Sequence, residues 1–306
     1  MKQHWFLGIL ILWLFQACGA KNSHLKDKPE EGRIFICVDE TFRPVIEEQL
    51  HMYQLANPNT RILSSYKSES ECVTDFLKDS SIRMAVVSRP LKPEEEQFIK
   101  SKIGYFPETN MIATDAVTVI INAASKDSLF DMNTLKEQMS GKQRTQKIFV
   151  LDGLKSTSSV RLIKEKIMDG TSFDTSVVKS ARTTADVVKY VANHENAVGF
   201  VGFSWVGNMN DRLQQDTIKK ISIAYLKCDN CEAKPYVRPT QESLMNRRYP
   251  LVRNLYYILK ENYAGLGSGF SAFMKYESGQ LIFRKACLSP VMDFTVRTVK
   301  IKTSQE

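Results

Sequence analysis

The chain has 306 residues, 43% hydrophobic and 25% charged, an ordinary composition for a body with a buried core. Lysine and arginine outnumber aspartate and glutamate by 42 to 34, giving a formal charge of +8. The basic residues are scattered among carboxylates, with no aromatic-interleaved basic stripe, which argues against a nucleic-acid partner.

The first element is an uncharged run, Trp5 to Phe15, preceded by Lys2. As a helix it would extend about 16 Å, roughly half a bilayer's hydrocarbon core, so it reads as a signal-peptide core rather than a membrane span. It ends in Leu14-Phe15-Gln16-Ala17-Cys18, which resembles the processing box of bacterial lipoproteins. That resemblance implies removal of residues 1–17, lipid on Cys18, and a membrane attachment through it. Multiple acyl chains anchor stably where one does not. The polar stretch 18–32 then serves as a tether. Gly19 to Ser23 lacks the acidic segment expected of surface-exported lipoproteins, which favours a periplasm-facing place in the cell envelope.

From Arg33 the pattern alternates. Arg33–Val38 predicts a strand, Phe42–Leu55 a helix stopped by Pro58, Arg61–Tyr66 a strand, and Cys72–Leu77 a short helix. Met84–Val87 predicts a third strand, and Pro93 with three glutamates opens the next helix. A second lobe is expected from Asp115, beginning with the β-rich run Ala116–Ile121. It continues with helix 135–139, strand 147–151, helix 158–167, helix 184–192, strand 197–204 and strand 218–226. The remainder, from 227, reads as completion of the first lobe (33–114): strand 249–259 with Pro250 at its start, helix 270–276, an ambiguous segment 282–287 and an alternating tail 294–301. This order predicts an α/β fold of two lobes with mostly parallel sheets.

Beyond Cys18, five cysteines remain, and Cys228 and Cys231 form the only close pair. A local disulfide and two inert thiols both fit that spacing. Zinc would need two more ligands, and His24, His51 and His194 stand in no ligand spacing. No cofactor is implied.

In open α/β sheets, ligands sit beyond the carboxyl ends of strands, where helix starts offer free amides. Three segments fit that place: Asp39-Glu40-Thr41-Phe42, Tyr66 to Glu71 with Ser68 and Ser70, and Lys155-Ser156-Thr157-Ser158-Ser159. Each is also an ordinary capping sequence. Arg89 and Arg161 are the nearby cations, although Arg161 has Glu165 at four-residue spacing.

Several ordered pieces carry a resemblance to a known family: Thr41-Phe42 before Pro44, Met84–Leu91 (MAVVSRPL), Ile112–Asn122 and Asp152 with Ser156–Arg161. Ala197–Gly202, Tyr249–Arg253 and Ser278–Ile282 continue the order. Together they resemble periplasmic phosphate-binding proteins, the substrate-binding components of phosphate ABC transporters, and especially the lipoprotein versions of the Bacteroidota. The resemblance spans Arg33 to about Pro290. It implies a type II periplasmic-binding-protein fold, an anion held between the lobes, delivery to an ABC permease, and no catalysis. It further implies ligand contacts from Thr41, Phe42, Ser68 or Ser70, and from Ser156, Thr157 and Ser158. Asp115 would set the hinge.

Two departures bear on the ligand. Arg89 stands where the family often has an aspartate, and Ser156-Thr157-Ser158 replaces a glycine-containing turn without its usual upstream arginine. Arg89 is thus the expected neutralising cation, with Arg161 second, and Asp39 or Glu40 the expected acceptor of a phosphate proton. Another oxyanion, a small anionic metabolite, a receptor role and a hydrolase role are the alternatives. The hydrolase reading lacks a nucleophile-base-orienter set.

Overall fold

The computed structural model describes residues 27–153, 157–207 and 218–292. The lipid box at Cys18, Ser156 and the tail 294–301 lie outside these.

Strand β1 (Glu31–Asp39) sits between β2 (Asn59–Lys67) and β3 (Ile82–Val87), parallel to both. Its alternation sends Ile34, Ile36 and Val38 to one face and Cys37 to the other. Helix α1 (Arg43–Ala56) covers the first face with Val45, Ile46, Leu50 and Tyr53, a helical spacing. Phe42 and Pro44 open it, and the chain turns out at Asn57. The opposite face packs on α2 (Glu69–Lys78) and α3 (Pro93–Ile103) through Cys72, Val73, Phe76 and Ile99. Burying each large apolar side chain contributes about 1.5–3 kcal/mol, so both faces reward the alternation. A disulfide joins Cys37 on β1 to Cys72 on α2.

Strand β4 (Glu108–Asn122) is the crossing element. Its first half pairs with β12 (Val252–Leu259), and Val117–Ile121 pairs with β8 (Ala197–Gly202). The second core is built on that outer half. Around it stand β5 (Leu129–Phe130), α4 (Met132–Met139), β6 (Ile148–Leu151), α5 (Ser158–Ile163), β7 (Val178–Ser180) and α6 (Thr184–Asn193). Past β8, a 3-10 turn at Phe203–Trp205 leads on to β9 (Ile221–Ile223), β10 (Tyr225–Lys227), β11 (Tyr236–Val237) and the short α7 (Gln241–Met245). The chain returns through Leu251, whose carbonyl accepts from Val117 N at 2.9 Å, into β12. Helices α8 (Leu266–Lys275) and α9 (Glu277–Lys285) and the short β13 (Ser289–Pro290) complete the first lobe.

The main sheet order is β2-β1-β3-β12-β4-β8-β6-β7, a two-lobed α/β fold. It is mixed rather than mostly parallel: the outer pairs in each lobe are parallel, but β12 runs antiparallel to β3 and β4, and β8 antiparallel to β4. Strands that carry the chain back between lobes have to reverse direction. Three further expectations are adjusted. The predicted strand 218–226 splits at Ala224, whose N–H bonds to Val119 O, because β9 pairs with β4 and β10 with β5 and β11. The helix after Ser158 widens into a π turn, Lys164–Met168, which brings Ile167 and Met168 both into the core. The ambiguous 282–287 segment ends helix α9, with Phe283 buried. Leu244, Tyr249 and Leu251 also pack in the second core.

Cys228 and Cys231 are joined as a disulfide in the turn between β10 and β11. Among the described residues no helix is long and apolar enough to cross a membrane, and no cluster of His, Cys, Asp or Glu is arranged for a metal.

Candidate binding site between the lobes

The carboxyl ends of β1, β3, β6 and β8 and the starts of α2, α5 and α6 converge where the lobes meet. Asp39, Thr41, Glu69, Ser88, Asp115, Asp152, Ser158, Ser159, Thr184 and Arg253 are all buried there. Burying so many polar groups is costly unless they satisfy one another, and most do.

Thr41 lies in a 3-10 turn, Glu40–Phe42, that Asp39 caps by accepting from Thr41 N at 3.1 Å. Its hydroxyl shares a 3.1 Å hydrogen bond with that of Ser158, the first residue of α5 in the opposite lobe. Arg253 Nη1 donates to the same Ser158 oxygen at 2.7 Å, and its guanidinium lies 4.4 Å from the centre of the Phe42 ring. Nε and Nη2 donate to Asp115 Oδ2 at 3.0 and 2.8 Å. Trp205 Nε1 donates to Thr41 O at 2.9 Å, a further tie across the cleft. Gly202 is required beside it: an added Cβ would lie 2.9 Å from both Thr41 O and Arg253 Nη2.

The rims are carboxylate-rich. Glu69 Oε1 accepts from Ser88 N at 3.0 Å and Ser88 Oγ at 2.6 Å, while Glu69 Oε2 accepts from Arg161 Nε at 2.7 Å. Arg161 Nη2 also donates to Ser88 Oγ at 2.7 Å, and Nη1 reaches Glu165 at 3.2 Å. Glu40 Oε2 accepts from Thr184 Oγ1 at 2.6 Å, and Asp152 accepts from Thr157 Oγ1 at 2.9 Å.

Electrostatics follow the burial. Desolvation and the neighbouring Glu69 charge push Asp39 up to about 7, against the pull of Arg253. Its Oδ2 is buried without a bonded partner, though the nearby Ser158 hydroxyl offsets part of the penalty. Burial likewise raises Glu40, Asp115 and Asp152 above the usual carboxylate range. Burial also acts on Glu69, but Arg161 and Ser88 outweigh it and hold that carboxyl below its ordinary value.

Of the residues singled out from sequence, Asp39, Glu40, Thr41, Phe42, Thr157, Ser158 and Arg161 meet at this cleft. Ser68 is spent as the N-cap of α2, in a capping box with Glu71, and Ser70 is exposed on that helix. Arg89, the expected neutralising cation, is held in a bidentate pair with Glu95 at 2.7 and 2.9 Å. The guanidinium that donates to a hydroxyl of the opposite helix start is that of Arg253. Sequence reasoning gave no role to Arg253, Ser88, Thr184 and Trp205, and it passed over Glu69 within a segment it had singled out for its serines. The signal for Arg253 was present: β12 buries alternate residues Arg253, Leu255 and Tyr257, so the arginine falls on its inward face.

Two lobes joined by crossing strands, with donors facing each other between them, make a periplasmic-binding-protein architecture. A family model described as a PBP superfamily domain matches residues 26–277, and the chain belongs to that superfamily. No curated protein matches the sequence. Among solved structures it is similar to a protein from Clostridium perfringens assigned as a phosphate ABC transporter substrate-binding protein, with bound phosphate. That match has 20% identity and a TM-score of 0.69, covering 85% of this chain and 100% of the other. An ABC-type phosphate transport receptor from Vibrio cholerae follows at 17% identity and TM-score 0.60, covering 85% and 100%. The reduced form of the OxyR2 regulatory domain from Vibrio vulnificus shares the fold at 11% identity and TM-score 0.53, covering 81% and 94%. At these identities the likeness is one of fold.

Proposed function

We propose that the chain binds inorganic phosphate between its lobes, outside the cytoplasm, and delivers it to an ABC permease while held to the membrane by lipid on Cys18. The observation that carries this reading is the meeting of Thr41 and Ser158, hydroxyls 117 residues apart and 3.1 Å from each other, under the Arg253 guanidinium. Hydroxyls at a strand end and a helix start, with one buried arginine, make a donor set for an oxyanion. Two of the similar solved structures are named for phosphate transport, which supports the same ligand.

The carboxylates refine the ligand class. Once Asp39 has ionised, above about pH 7, a fully ionised anion such as sulfate would face it as a repelling charge, whereas phosphate there still carries a proton. Asp39 Oδ2 is the acceptor we assign to it; Glu40 is committed to Thr184. Several charge-assisted hydrogen bonds at about 1.5–3 kcal/mol each reach the roughly 8 kcal/mol of micromolar affinity. The role is binding, not catalysis. Calorimetry with phosphate and sulfate on the natural protein, Asp39→Asn and Glu40→Gln tests the assignment. Asp39→Asn should lose the preference for phosphate and Glu40→Gln keep it; unchanged discrimination in Asp39→Asn would sink the proposal.

A further inference from the structure

We propose that Glu69 is a built-in anion that occupies part of the oxyanion site and latches the two lobes together. The affinity part of this inference rests on the phosphate reading above; the closure part does not.

The partners of Glu69 are those an oxyanion would take. One backbone N–H, one hydroxyl and a guanidinium converge on its two oxygens, the last from the opposite lobe. Its place is unusual for the sequence position. Glu69 is the first residue of α2, where an acidic side chain favours the helix start, but Glu71 already serves that start in the capping box with Ser68. Glu69 instead turns inward to 3% exposure, while its partner Arg161 stays about one-third exposed at the cleft rim.

Two consequences follow. First, the Glu69–Arg161 bridge joins the lobes directly. Second, an anion seeking Ser88 and Arg161 has to displace a carboxylate covalently attached to the site, whose effective concentration is high. An ordinary structural ion pair would give only the first consequence, and removing either partner would then act alike. A built-in anion makes the two partners opposite in their effect on binding: Glu69 competes with the ligand, and Arg161 serves it.

The test compares the natural protein with Glu69→Gln and Arg161→Gln. Small-angle scattering of the empty proteins should show both variants more open than the natural one. Titration with inorganic phosphate should show Glu69→Gln binding at least tenfold tighter and Arg161→Gln at least tenfold weaker. Glu69→Ser carries the same comparison should the glutamine variant not fold. An empty Glu69 variant as compact as the natural protein overturns the latch, and phosphate binding no tighter than natural overturns the competition. If none of the proteins binds phosphate, it is the phosphate reading that fails, and the scattering alone decides the latch.

Discussion

Arg253 and Asp115 are cross-strand partners, and the guanidinium donates twice, from Nε and Nη2, to the single oxygen Oδ2 of the carboxylate. The pair sits on the two strands that connect the lobes and is almost wholly buried, at 3% and 0% side-chain exposure. It fixes the arginine so that Nη1 is aimed at Ser158 across the cleft. Removing one member leaves the other charged, buried and unpaired, which costs about 3–5 kcal/mol. Asp115→Ala is therefore expected to lose stability on that scale in denaturant unfolding, and to weaken phosphate binding because Arg253 is no longer held.

The second prediction concerns pH. Asp39 is pushed up to about 7 in the native fold, whereas an unfolded aspartate titrates near its ordinary value of 3.8. Between those values the native form keeps a proton that the unfolded chain has released. Stability from this group is thus fully present below about pH 4, falls as pH rises and levels off above about 7, by at most ~1.4 kcal/mol per pH unit. Asp39→Asn should flatten that part of the curve, as read by urea unfolding at a series of pH values. An identical slope in the variant would refute the assignment.

Close packing at Gly202 gives a third. Gly202→Ala places a Cβ against Thr41 O and Arg253 Nη2, whereas Gly199→Ala places one against Val191, Ile120 and Val187 in the second core. Both should destabilise by about 1–3 kcal/mol. Only Gly202→Ala should reduce phosphate affinity beyond what its stability explains, in parallel thermal and calorimetric measurements.

Trp205 offers a reporter. The sequence holds three tryptophans, Trp5, Trp13 and Trp205, so a soluble form beginning at Gly19 has Trp205 alone. Its indole N–H is bonded to Thr41 O across the cleft. Opening the cleft should expose the ring and shift its emission to the red, and phosphate should reverse the shift. An emission maximum insensitive to phosphate at saturation, in a protein that binds it, would show that the lobes do not move at this contact.

Alternation of compact strands with amphipathic helices made the lobes legible, since period and burial are local properties. A hydroxyl beside a strand end or helix start is a local pattern too, and it picked out Thr41 and Ser158, whose hydroxyls the structure brings together. The same pattern picks out Ser68 and Ser70, yet the structure puts Ser68 in a capping box with Glu71 and leaves Ser70 exposed. Arg89 ranks ahead of Arg161 as the cation by local pattern, but the structure pairs Arg89 with Glu95 and Arg161 with Glu69. The pairing of Cys37 with Cys72 and the reach of Arg253 to Ser158 depend on which strands become neighbours, which spacing alone does not encode. The mixed sheet escaped for the same reason, because strand direction is set by the return of the chain between lobes.

The most direct test of a phosphate clamp built from both lobes is one titration series of inorganic phosphate into the natural protein, Ser158→Ala and Arg253→Gln. The account predicts one site per chain with affinity near the micromolar range, weakened about tenfold in Ser158→Ala and further in Arg253→Gln. Absence of binding to the natural protein at millimolar phosphate, or equal affinity in all three, would contradict it.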